Sequence, residues 1–141
     1  MSMKREYKLI LASFATIAIF DAVSSVASWK FDFNYLYMAA VSYLIYGTFG
    51  FLGTVDSTIG KGVKIATLAG LFDAIAGWAI SILLKANTGD IPNDPTPASI
   101  FSAMIFVSIF AAFCGLVGGG IAVALKKHKR AEIVAPYDET K

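Results

Sequence analysis

Residues 98–125 read ASIFSAMIFVSIFAAFCGLVGGGIAVAL, with no charged side chain from Ala98 to Leu125. An α-helix rises about 1.5 Å per residue, so about 20 residues cross the roughly 30 Å of a bilayer's hydrocarbon core. This run exceeds that length. It has no alternation of apolar and polar residues, which excludes the ten-residue strands of a membrane β-barrel. Backbone groups in lipid must be satisfied internally, and a helix does so within one segment.

Three further stretches have the same character. The first spans about residues 9–29, with Asp21 as its one charge, and the second about 33–55 with none. The third spans about 63–84, with Lys64 at its edge and Asp73 inside. The composition agrees: 57% of residues are hydrophobic, 16% are charged, and the mean hydropathy is +0.67. A soluble domain carries about a quarter charged residues. A net charge of +2 is too small for a nucleic-acid-binding face, and one cysteine excludes a disulfide scaffold. The expected fold is an all-α integral membrane protein of four transmembrane helices. It forms one domain over residues 1–130, followed by a mobile polar tail, 131–141.

A basic start (Lys4, Arg5, Lys8) and a small-x-small site at Ser25-Val26-Ala27 raise a signal peptide as the alternative for the first stretch. Its apolar reach is long for one, so it reads as a membrane helix. Lys4, Arg5, Lys8, Lys61, Lys64, Lys126, Lys127, Lys129 and Arg130 would lie on one side of the membrane, against Lys30 and Lys85 on the other. That asymmetry places both termini in the cytoplasm, in a cell or inner membrane. The outer loop, about Lys85–Pro97, is proline-rich and reads as a stiff, solvated turn.

Phe20-Asp21-Ala22-Val23 resembles Phe72-Asp73-Ala74-Ile75, and Gly47 and Gly50 resemble Gly115 and Gly118. The chain therefore has the outline of a tandem repeat of a two-helix hairpin, related by a two-fold axis along the membrane normal. Gly47, Gly50, Gly70, Gly77, Gly115 and Gly119 are expected at close helix contacts, where small residues let backbones approach. Gly70, Asp73 and Gly77 share one face at i, i+3, i+7. Contacts of this kind serve a bundle interior or a homo-oligomer.

A charge at mid-bilayer costs about 2.5–3.5 kcal/mol on insertion scales and marks function by default. No Lys or Arg lies deep in any stretch to pair with Asp21 or Asp73. Ser24 and Ser25 lie within one or two turns of Asp21, and Tyr46 adds a hydroxyl from the second stretch. These five residues are the candidate ion-, solute- or proton-handling set. The competing view is structural: the acids bond across helices as polar glue. Acids lining a wet cavity would favour transport, and acids sealed by hydroxyl or backbone partners would favour glue.

Enzyme chemistry has little to stand on. There is one histidine, His128 among the basic C-terminal residues, and one cysteine, Cys114, and no metalloprotease, nucleophile-elbow or CxxC motif. Gly60-Lys61 misses the phosphate-loop spacing. No cofactor, metal or nucleic acid is expected. The partners expected are the lipid bilayer and a second copy or another membrane subunit. The leading expectation is a transporter or channel-like protein for an ion or small solute. The alternative is a non-catalytic accessory or assembly subunit of a larger membrane complex.

Overall fold

The computed structural model describes residues 2–89 and 96–134, with side chains through residue 129, and these residues contain helices and no strand. α1 (Met3–Phe31) closes where Asp32 takes a left-handed conformation, φ 51°, and its N–H bonds the Ser28 carbonyl. A 3₁₀ turn, Tyr35–Met38, leads into α2 (Ala39–Val55). α3 (Ile59–Phe72) runs directly into one turn of π-helix, Asp73–Gly77, and then α4 (Trp78–Leu83). α5 covers Pro97–Val134. These make four rods, each long and apolar enough to cross a membrane.

Two boundaries differ from expectation. The second stretch is not helical from residue 33. Asn34 accepts a hydrogen bond from the Leu36 N–H at 2.9 Å, and this local side-chain bond favours a turn over a regular helix. The helix also runs into the tail, since α5 continues through Val134, with the good helix formers Ala131 and Glu132 at the start of that stretch. Residues 135–141 and the central part of the proline-rich loop, 90–95, lie outside the described residues.

α2, α3 and α5 pack closely together. α1 lies against α3, the π turn, α4 and α2, and among the described residues it does not meet α5. A two-fold axis relating the hairpins would pair α1 with α5 as it pairs α2 with α3. The packing lacks that pair, so the short sequence match is not accompanied by matching neighbours.

The interior is built from small side chains. Ile17, Tyr46, Ala66, Ala69 and Ala111 form its apolar centre, and Phe14 stacks on Phe72 at 4.3 Å between centroids. Several serines and threonines inside the bundle return their hydroxyls to the preceding turn, as Ser13 does to the Ile10 carbonyl (2.7 Å) and Thr54 to that of Gly50 (2.9 Å). Large apolar residues such as Leu11, Ile19, Leu44, Leu83, Phe101 and Phe113 point outward and are exposed.

Glycine makes this packing possible at the α2–α5 seam. A Cβ on Gly50 would sit 2.5 Å from the Gly115 Cα and 2.7 Å from its carbonyl oxygen. Gly118 approaches the backbone of Gly47 just as closely, while Gly115 faces Ala66 and Gly119 faces Thr54. Gly120 has nothing within 4 Å.

Each end of the bundle is fastened by polar contacts. At one end Arg5 pairs with Asp56, Glu6 pairs with Lys64 at 2.9 Å and Lys61 at 3.6 Å, and Lys126 Nζ donates to the Thr54 carbonyl at 3.2 Å. At the other end Asn87 ties three segments together. Its N–H donates to Ser28 Oγ (3.1 Å), its Nδ2 to Asp32 Oδ1 (2.9 Å), and its carbonyl accepts the Tyr35 N–H (2.7 Å).

Candidate functional site

Asp21 lies on the face of α1 that also carries Ser24, Ser25 and Ser28, and that face is buried. Asp73 opens the π turn of the third rod. The two carboxyl groups meet beside Gly77: a Cβ on that residue would overlap both Asp73 Oδ1 and Asp21 Oδ2. They are within hydrogen-bonding reach of each other. A side chain at position 77 would push the two carboxyl groups aside. π turns of this kind occur often at functional sites.

Hydroxyl groups close over the pair. Tyr35 Oη donates to Asp21 Oδ1 at 2.8 Å, and Tyr46 Oη donates to Asp73 Oδ2. The Ser42 hydroxyl lies against the Asp73 carboxyl. Asp21 is 1% exposed, yet its Oδ2 has no hydrogen-bond partner. Ser25 Oγ, one turn along the same helix face, faces Tyr35 and likewise completes no hydrogen bond. Among the described residues no lysine, arginine or histidine contributes to the electrostatics of either acid.

The structure brings together four of the five residues singled out from sequence: Asp21, Asp73, Ser25 and Tyr46. Ser24 is buried on the same face of α1, but unlike Ser25 it is not set against Tyr35. Tyr35 and Ser42 were missed. Tyr35 reads as an interfacial aromatic at the outer end, but the 3₁₀ turn swings it inward, while neighbouring Tyr37 stays exposed. Polar Asp32 and Asn34, interrupting an apolar run, are the signal that the chain turns there. Ser42 is one helical turn before Tyr46, so helical spacing alone would have added it.

The shared face expected for Gly70, Asp73 and Gly77 is also revised. Gly70 packs on Ala111 and Val107 of α5, whereas Gly77 packs on Asp21 of α1. The wide π turn between them rotates the contact face from one neighbour to the other. The glycine contacts of α2 and α5 are made within the bundle, so those glycines carry no argument for a second copy. Among the described residues, no group of three or more His, Cys, Asp or Glu side chains could hold a metal ion.

No protein-family model, curated protein or solved structure matches this chain. The arrangement defines a class by its own geometry: an apolar four-helix bundle with a sealed, hydroxyl-capped pair of carboxyl groups inside.

Proposed function

We propose that this chain is a multi-pass membrane protein that moves an ion or small solute, with Asp21 and Asp73 as its binding or coupling groups. The observation that carries the reading is the meeting of two acids around an unpartnered buried oxygen. Helix glue accounts for the tyrosine bond to each acid but not for the two acids facing each other. Two facing acids repel unless a proton or cation lies between them.

The tyrosine caps seal the pair, the outcome that favours helix glue on the criterion set from sequence; on the transport reading the sealed pair is an occluded state of a carrier and not an open channel. The basic and paired residues at the Arg5, Lys61, Lys64 and Lys126 end support an orientation with that end in the cytoplasm.

The test is flux through purified protein in proteoliposomes, recorded electrically and with a pH-sensitive dye against a panel of small ions and solutes. Asp21→Asn and Asp73→Asn are each expected to abolish a flux seen with the unmodified chain. Equal flux in all three proteins would overturn the role given to the acids. A stoichiometric membrane partner, with no flux for any solute, would favour the accessory-subunit reading.

A further inference from the structure

The site has an occupant that its own geometry names. We infer that Asp21 Oδ2 carries one proton and donates it to Asp73 Oδ1, so that the pair binds a single shared proton rather than a metal cation. This deepens the transport reading by naming the coupling ion, and rests on that reading for its functional meaning.

Three observations carry the inference. Asp21 Oδ2 is the one carboxyl oxygen of the pair that is fully buried with no partner. Leaving such a group unsatisfied costs about 1–3 kcal/mol, and more when it is charged. It lies beside Asp73 Oδ1 at Gly77, where a hydrogen between the two oxygens satisfies both. The surroundings also decide which acid holds the proton. Asp73 has Tyr46 and Ser42 against its carboxyl group, and Asp21 has Tyr35 alone. The better-solvated charge belongs on Asp73, with Asp21 as the neutral donor.

A metal cation fits less well. Calcium takes six to eight oxygen ligands and magnesium an octahedral set. Here both acid oxygens crowd the space of a single methyl group beside Gly77. The groups facing the pair are Tyr35 from the 3₁₀ turn and Ser42 and Tyr46 from α2, with Tyr43 beside Tyr46. None of them is a cation.

The experiment is infrared difference spectroscopy of the full chain in lipid, in H2O and D2O near neutral pH. One carboxylic-acid carbonyl band is expected, shifting in D2O and lost in Asp21→Asn. It should persist when sodium, potassium, magnesium or calcium is added at constant ionic strength, with no accompanying rise in thermal stability. Absence of the band in the unmodified chain would overturn the inference, as would its loss on adding any of these cations. A band that survives Asp21→Asn would also overturn the placement of the proton. The cation titration uses the unmodified chain, so the inference stays testable even if a variant fails to fold. A missing band alongside Asp-dependent flux would sink the shared proton alone. A persistent band without flux would sink the transport reading alone.

Discussion

Gly50 and Gly120 offer a paired test of how the bundle is held together. Replacing either by alanine adds one methyl group and, in a helix interior, gains about 0.8–1.0 kcal/mol of helix propensity. At Gly120 the methyl meets nothing within 4 Å, so the propensity gain is the whole effect. At Gly50 it would lie 2.5 Å from the Gly115 Cα, where carbon atoms prefer about 3.5–4.0 Å. Both sides of that contact are backbone, so no rotamer change relieves it, and α2 must withdraw from α5 by about 1 Å. The withdrawal also opens the neighbouring approach of Gly118 to Gly47. Overpacking costs about 1–3 kcal/mol, and the upper end applies where backbone meets backbone. Allowing for propensity, Gly50→Ala should be about 2 kcal/mol less stable than the unmodified chain, and Gly120→Ala level with it or up to about 1 kcal/mol more stable. Reversible unfolding in mixed micelles by added dodecyl sulfate, followed by fluorescence of Trp29 and Trp78, measures both. Equal stability of the two variants would show that the α2–α5 seam does not depend on backbone contact.

Other perturbations probe the remaining contacts. Tyr46→Phe removes a donor to Asp73 and should destabilise the chain by about 1.5–3 kcal/mol, the range for a hydrogen bond to a charged group. Tyr43→Phe, with no such bond, should cost less, and equal losses in the two would deny the Tyr46 bond any weight. Asn87→Ala removes the side-chain bonds to Asp32 and to the Gly89 N–H (3.0 Å). It should speed amide exchange at residues 85–89 while leaving α5 unchanged, and uniform exchange across both would refute the tie. Arg5→Ala breaks a half-exposed ion pair with Asp56 and should cost less than about 1 kcal/mol in the same unfolding assay. A larger loss would mean that this end is held by more than surface charge.

The rods were legible in the sequence because length and apolarity determine them, and the 98–125 run alone required a long helix. The carboxyl groups were legible because charge is conspicuous in so apolar a chain. That the two acids meet was not, since it depends on the π turn at Asp73–Gly77, and π turns leave no clear mark in residue order. Glycine identity had the same limit. Gly118, Gly119 and Gly120 are alike in sequence, yet one meets α2 backbone, one meets Thr54 and one meets nothing. Tyr35 was misread because an aromatic residue at the end of an apolar run ordinarily sits at the lipid interface. The bond to Asp21 arises from a turn that only the folded chain reveals.

The shortness of α2 sets a demand on the bilayer itself. Its 17 residues cover about 26 Å, while the 38 of α5 cover about 57 Å. On the proposed membrane reading, the 3₁₀ turn and the extended residues before it would make up part of the crossing. Irregular backbone at that depth needs its polar groups satisfied, and the Asn87 carbonyl does this for the Tyr35 N–H. A thicker membrane would press first on this corner, and Tyr35 would transmit the mismatch to Asp21. On that reading, bilayer thickness, which sorts membrane proteins at a cost of fractions of a kcal/mol per Å, would become a variable that acts on the acid pair.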